Sequence, residues 1–400
     1  MPKDDWQHER FIALSQARLI IVKVGSAVLT GQHGLDVAVM EDLARQLASL
    51  RMFGNLKRRL ILVSSGAVAA GRAVLKEGGH RVETAGLAAR QATAAVGQGQ
   101  LMRAWDRVLR QYNIPTAQVL LTRDDLRARQ RFLNARNTFA ELLQWDVLPI
   151  VNENDTVSVS ELRFGDNDCL ASLLVNLTGA DVFINLTSAP GVLEADPQKN
   201  ADACVMPCID DVAVLDLSRL CGGKTRVGTG GMYSKLLAAR RAAQIGVPTL
   251  ILPGREPEVM LRAFAAAGVE TDLIKRTPFA GGTWVRPARH VIPRRKFWLA
   301  YQSDPVGVLQ VDDGAAKALL EHGGSLLPGG VCGVEGSFQR GALVCVQHNG
   351  RSLGVGLSNY GMAELKKIMG LKRHEVAAIL GEAHYPEVIH RDNMLLHAAV

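Results

Sequence analysis

Along residues 18–254 short apolar runs alternate with longer amphipathic ones, and few architectures accept that pattern. RLIIVKV at 18–24, RLILV at 59–63, AQVLL at 117–121, VLPIV at 147–151 and DVFINL at 181–186 have the length and composition of strands. Between them, residues 36–50 set Met40, Leu43, Leu47 and Leu50 three and four apart, the spacing of an amphipathic helix. Further helices are expected at 67–75, 86–110, 132–145, 169–177 and 232–244, and one more strand within IGVPTLILPG at 245–254. The pattern has no internal repeat, so it predicts a sheet covered by helices on both faces.

At 400 residues the chain is too long for that unit alone. Its character changes past Gly281-Gly282-Thr283-Trp284. Residues 306–355 carry short alternating segments such as VGVLQV and ALVCV, parted by Gly and Asp pairs. They predict a small, mostly-β barrel with one or two helices, onto which amphipathic pieces at 361–369 and 375–380 pack.

Several function classes are disfavoured by composition. No apolar run approaches the length of a membrane span, and the N-terminal MPKDDWQHER has no apolar signal core, so a cytoplasmic protein is expected. The six cysteines form no paired C-x-x-C; Cys204 and Cys208 come nearest to a metal spacing, and free thiols are expected instead of a metal site. The net charge is +7, yet residues 281–400 hold 13 Lys and Arg against 10 Asp and Glu. Their one dense cluster, Arg286, Arg289, Arg294, Arg295 and Lys296, is punctuated by prolines and reads as a solvated linker.

Four stretches carry candidate chemistry. The strand at 147–151 delivers Asn152, Glu153, Asn154 and Asp155 in succession, and Gly165-Asp166-Asn167-Asp168 follows just before a helix. Open α/β sheets bind ligands at such strand ends. Mixed carboxylates and amides suit a substrate bearing both amine and carboxylate, or Mg²⁺ on phosphates; a turn and an N-cap would use the same residues. Lys23 interrupts an apolar strand, a costly place for an ammonium unless it meets an anionic ligand or snorkels from an edge. Ser64-Ser65-Gly66-Ala67 offers backbone N–H groups at a strand-to-helix junction. Gly228-Thr229-Gly230-Gly231 opens into a helix whose first turn carries Lys235, a phosphate-type arrangement. The nearby Ser218-x-x-x-x-Gly223-Lys224-Thr225 lacks the first glycine of a P-loop and is discounted.

Taken in order, Lys23-x-Gly25-Ser26, Ser64-Ser65-Gly66-Ala67-x-Ala69-Ala70-Gly71, Asn152-Glu153-Asn154-Asp155, Gly165-Asp166-Asn167-Asp168 and Gly228-Thr229-Gly230-Gly231-Met232-x-Ser234-Lys235 closely resemble the glutamate 5-kinase family of the amino-acid kinase superfamily. The resemblance implies an α/β three-layer sandwich with a mostly parallel central sheet over residues 17–283 and a linker at 284–304. Val311-Asp312-Asp313-Gly314-Ala315, Ser325-Leu326-Leu327-Pro328-x-Gly330 and Arg340-Gly341 look like a PUA domain, placed at 305–385. It further implies ATP-dependent phosphorylation of the γ-carboxylate of L-glutamate, with Mg²⁺, as the first step of proline biosynthesis. Carried over, Ser65, Asp155 and Asn167 would hold glutamate. Lys23, Thr187, Ser188, Thr229, Gly230, Gly231, Met232, Tyr233, Ser234 and Lys235 would hold ATP. Lys23 and Lys235 would flank the γ-phosphoryl group, with Asp168 organising them. Two departures stand out: the family's usual Thr-Asp is here Thr187-Ser188, removing a carboxylate near the nucleotide, and Cys169 replaces a commoner Asn. Proline as feedback inhibitor, partnership with the glutamyl phosphate reductase, and a homo-oligomer are also implied.

The chemistry is consistent with the absence of histidine from every motif. A glutamate side chain titrates near ~4.3, so the acceptor is already ionised and needs no general base. The difficulty is bringing two anions together, which lysines, helix N-termini and Mg²⁺ relieve. Acetylglutamate, aspartate or carbamate kinase is the nearest competing enzyme. An RNA-binding protein competes from another class, against which stand the modest charge of residues 281–400 and the lack of an aromatic-basic stripe. A non-catalytic amino-acid sensor is a third reading, supported by Ser188.

Overall fold

The computed structural model describes residues 5–53, 56–80, 86–158, 167–200, 202–221, 231–266, 281–301, 305–381 and 384–396. The chain divides into two compact units, Met1–Val291 and Ile292–Val400.

Among its described residues the first unit has ten strands: β1 Leu19–Val24, β2 Thr30–Gly31, β3 Gly34–Leu35, β4 Arg59–Ser64, β5 Thr116–Leu121, β6 Leu148–Glu153, β7 Val182–Thr187, β8 Cys208–Ile209, β9 Thr249–Pro253 and β10 Thr283–Val285. Eight of them form one sheet in the order β5-β6-β4-β1-β7-β9-β10-β8, with β2 and β3 paired as a small hairpin. Pairing is parallel from β5 through β9, and β10 runs antiparallel to β9. Every residue of β1 and β7 is buried, as expected of central strands covered on both faces, which explains why their sequences read as continuous apolar runs. On one face Ile20, Val22, Leu62, Ile184 and Leu252 share a core with residues of helices Val37–Leu50, Leu87–Arg110 and Val259–Ala266. On the other, Ile251 and Val285 meet Leu236, Ala239 and Ala243 of helix Met232–Gln244. The result is a three-layer α/β sandwich.

One helix crossing sets the geometry above β4. Gly71 on helix Ala67–Glu77 and Gly97 on helix Leu87–Arg110 touch so closely that a Cβ on Gly97 would lie 1.8 Å from the Ala67 carbonyl oxygen. Only glycine lets the two backbones meet there.

Two strands of the large sheet escaped the sequence reading, as did the short β2–β3 hairpin. β8 and β10 are too short for a period of two to register, and they extend the sheet past the strand expected to close it. The expected linker therefore begins inside the sheet, because Trp284 and Val285 are buried strand residues. The solvated-face reading of the basic cluster holds for Arg289 and Arg294, which are exposed, but not for Arg286. Arg286 is held by Glu9 at 2.6 Å and Asp210 at 3.1 Å, and a helix spans Arg294–Tyr301.

The second unit holds a five-stranded sheet. Its strands β11 Gly307–Val311, β12 Val331–Gly336, β13 Leu343–His348, β14 Arg351–Leu357 and β15 Met394–Leu396 are ordered β12-β11-β13-β14-β15, with only β11 and β13 parallel. Alternate residues of β11 (Leu309, Val311) join Val344, Val346, Leu365 and Ile389 in a separate core. Helix Asp313–His322 starts on the Asp312 side chain and stops at Gly323 in the left-handed region, as its sequence dictates. No helix among the described residues is long and apolar enough to cross a membrane.

Candidate active site

Parallel strands present all their carboxyl ends on one edge, and here β6, β4, β1 and β7 lie side by side in that order. At about 4.8 Å per strand, their ends span roughly 15 Å. β6 ends in Asn152 and Glu153, β4 leads to Ser65 and Gly66, β1 carries Lys23 near its end, and β7 leads to Thr187 and Ser188. A cleft of about 520 Å³ lies over them and is lined from all four strands. Gly66, with φ of 116°, makes the sharp turn that starts helix Ala67–Glu77 at the cleft.

The centre of the site is a buried carboxylate. Asp168, in the first turn of helix Asn167–Thr178, has no solvent exposure, and four donors among the described residues converge on it. Its Oδ1 accepts from Lys23 Nζ at 2.5 Å and Asn185 Nδ2 at 2.8 Å. Its Oδ2 accepts from Ser234 Oγ at 2.7 Å and Lys235 Nζ at 3.1 Å. Burial opposes ionisation of this carboxyl, but the two ammonium groups and the hydrogen bonds outweigh it and hold it well below the usual carboxylate range. Two lysines against one carboxylate leave a net positive charge. Both are nearly buried, Lys23 at 3% and Lys235 at 4% exposure, and both line the cleft.

Towards β6 the site is a network of amides. Asn167 donates one hydrogen to Ser65 Oγ at 2.7 Å and the other to Asn152 Oδ1 at 2.8 Å. Asn152 in turn donates to Gln98 Oε1 at 2.9 Å on helix Leu87–Arg110. Glu153 accepts from Ser158 Oγ at 2.7 Å, and Gln91 of the same helix donates to the Ser158 carbonyl at 2.9 Å. Asp155 lines the cleft within this segment. Burial pushes its carboxyl above the ordinary range, and the Arg90 charge pulls it partly back.

Of the residues singled out by sequence, Lys23, Ser65, Asp155, Asn167, Thr187, Ser188 and Lys235 line this one cleft. Asp168 and Ser234 lie directly behind its wall through the bonds given above. Gly231 caps helix Met232–Gln244. Met232 instead packs against the second core and Tyr233 is 37% exposed; neither lines the cleft. Thr229 and Gly230, like Gly165 and Asp166, lie outside the described residues. Among the described residues no group of three His, Cys, Asp or Glu could hold a metal ion.

Asn185, Gln98, Arg72 and Arg90 were not found by sequence reading. Asn185 did leave a signal: it is the lone polar residue in the interior of β7, as Lys23 is in β1, and the two are register partners. The other three sit on helices whose polar faces all look alike in sequence.

The family model "Amino acid kinase family" matches residues 18–253, and the PUA domain model matches 307–380. Curated relatives named glutamate 5-kinase match along the whole chain. That of Nitratidesulfovibrio vulgaris (strain DP4) is 59% identical over 99% of this chain and 100% of its own. The relative from Oleidesulfovibrio alaskensis is 58% identical over 99% and 100%, and that from Geobacter sulfurreducens 44% over 96% and 98%.

Proposed function

The chain belongs to the glutamate 5-kinases of the amino acid kinase family, and from that premise we propose how its cleft divides the work. The reaction is ATP-dependent phosphorylation of the γ-carboxylate of L-glutamate, giving L-glutamyl 5-phosphate, the first step of proline biosynthesis. One observation carries the assignment of residues: a single buried carboxylate, Asp168, ties together Lys23 and Lys235 at the floor of the cleft.

Strand order supports the following division. Glutamate occupies the β6–β4 side, where Asn167, Ser65 and Asp155 stand. ATP occupies the β7 side, with Thr187, Ser188, Thr229, Gly230, Gly231, Ser234 and Lys235; Met232 and Tyr233, which do not line the cleft, are left out of the assignment. Lys23, on the strand between, meets the transferring phosphoryl group together with Lys235. Asp155 takes the α-ammonium of glutamate. Phosphoryl transfer asks for alignment and for neutralisation of charge spreading over the phosphoryl oxygens. Asp168 touches neither substrate; it holds the two ammonium groups in place. The acceptor carboxylate attacks phosphorus as the bond to the ADP leaving oxygen breaks, and no proton has to move.

Mg²⁺ accompanies ATP. The one buried carboxylate at the centre has both oxygens taken by ammonium, hydroxyl and amide donors. The described residues therefore offer no cage for the ion, which enters as counter-ion of the nucleotide phosphates.

Supplying the protein with MgATP, hydroxylamine and each candidate acceptor tests the reading, because hydroxylamine traps acyl phosphates. Hydroxamate from L-glutamate and not from N-acetylglutamate or aspartate is expected; the opposite preference would reassign the cleft. A cytoplasmic location, a homo-oligomer, inhibition by proline at the glutamate side and hand-over of the acyl phosphate to a reductase complete the proposal. Competition between proline and glutamate in the same assay checks the third of these.

A further inference from the structure

On the reading above, the substrate brings three ionised groups into the cleft, and only two of them have been given partners. The γ-carboxylate meets the lysines and the α-ammonium meets Asp155. The α-carboxylate remains, and a charge drawn out of water without a counter-charge is costly.

The described lining of the cleft holds two cations besides the lysines, Arg72 and Arg90. Arg72 already has a partner within the protein. The Arg90 guanidinium makes no hydrogen bond or ion pair among the described residues. Its one interaction is at longer range, with the carboxylate of Asp155. A guanidinium offers five donors in a planar fork that matches a carboxylate.

Its position follows from the fold. Arg90 is in the first turns of helix Leu87–Arg110 and precedes Gln91. Gln91 Nε2 donates to the Ser158 carbonyl at 2.9 Å, and Ser158 Oγ donates to Glu153 at 2.7 Å. Those two bonds fasten the segment carrying Asp155 to the stretch of helix carrying Arg90. A second link, Asn152 to Gln98 at 2.9 Å, fastens the same helix to the end of β6 two turns further on. The anion and the cation are thus held beside one another on one wall of the cleft.

We propose that Arg90 is a specificity-determining residue that binds the α-carboxylate of the amino-acid substrate, so that Arg90 and Asp155 together read a free α-amino acid as a zwitterion. The proposal rests on the cleft being the glutamate site. It gives the enzyme two independent grounds for rejecting neighbours of glutamate. An N-acylated acid presents no ammonium to Asp155, and an ω-amino acid presents no second carboxylate to Arg90.

4-Aminobutyrate is the probe, since it keeps the amine and the carboxylate that would be phosphorylated and lacks only the α-carboxylate. Hydroxamate formation by full-length wild type and Arg90→Gln is measured with both acceptors. Loss of a hydrogen-bonded charge pair predicts a glutamate KM raised about 10- to 100-fold in the variant. Turnover at saturation, the ATP requirement and kcat/KM for 4-aminobutyrate should all stay within about twofold. Arg90→Lys should recover part of the loss, as a point charge does for a carboxylate. An unchanged glutamate KM would overturn the proposal. So would an equal fall for both acceptors, which would make Arg90 a support for the fold and leave the α-carboxylate elsewhere. Failure of the wild type to make hydroxamate from glutamate is a separate result, and it would remove the site assignment itself.

Discussion

Lys23 and Asn185 are register partners on the adjacent parallel strands β1 and β7, and both donate to Oδ1 of Asp168, at 2.5 and 2.8 Å. Partners in parallel register point to the same face of a sheet, so the lysine and the amide approach the carboxylate from one floor. With Ser234 and Lys235 on Oδ2, each oxygen of the carboxylate has two donors among the described residues, and its plane is fixed. The amide can be oriented only one way round, since its oxygen would otherwise face a carboxylate.

Asn185 touches no substrate, so its effect should fall on alignment. Asn185→Leu keeps the volume and removes the donor. Turnover is expected to fall about tenfold, the value of one hydrogen bond to a charged group, with both KM values little changed. Steady-state kinetics in the hydroxamate assay decide it. A rise in glutamate KM with normal turnover would show that Asn185 belongs to the substrate pocket.

The lysines themselves act where charge develops. Lys23→Ala and Lys235→Ala should each lower kcat by about 10²–10³, the usual effect of removing a preorganised donor to the transition state. Glutamate saturation should move far less. Near-normal turnover in either variant would strip that lysine of its assigned role.

Asp155 gives a prediction with opposite signs for stability and function. Burial raises its carboxyl above the ordinary range in the folded protein, so ionisation is harder folded than unfolded. Its contribution to stability is therefore fully present at acid pH and lost as pH rises through the raised folded value. Asp155→Asn removes that penalty, so the ligand-free variant should melt higher than wild type at neutral pH. The difference should close as the pH falls through the carboxylate range. The same variant should need about 10- to 100-fold more glutamate, having lost the partner of the α-ammonium. A lower Tm at pH 7, or unchanged glutamate saturation, would contradict the assignment.

The Gly71–Gly97 contact predicts a change far from any charge. In Gly97→Ala the new Cβ would sit 1.8 Å from the Ala67 carbonyl oxygen, so one helix must move. Overpacking of this kind costs about 1–3 kcal/mol, to be read from urea unfolding. Because Ala67 begins the helix that follows Ser65, glutamate KM should rise in the same variant. Gly99→Ala, whose nearest neighbour is the tip of Arg103 at 3.9 Å, should do neither.

Much of this molecule was legible before any coordinates. Strands β1, β4, β6 and β7 and helix Met232–Gln244 stand where apolar runs and spacing put them, because a strand buried on both faces cannot hide its composition. β8 and β10 were missed, since two or three residues carry no period. Arg90 and Asn185 were missed for different reasons. An arginine on a polar helical face resembles every other one, and a lone asparagine in a strand has meaning only once its neighbours across the sheet are known.

Local sequence, then, settled which segments become strands and helices, and its ordered motifs settled the family, because backbone propensity and glycine turns act over a few residues. Which side chains share a charge was decided by the sheet. Lys23, Asp168, Asn185 and Lys235 are far apart in the chain, and only the parallel order β6-β4-β1-β7, with helices laid over its floor, brings them within hydrogen-bond reach of one buried carboxylate.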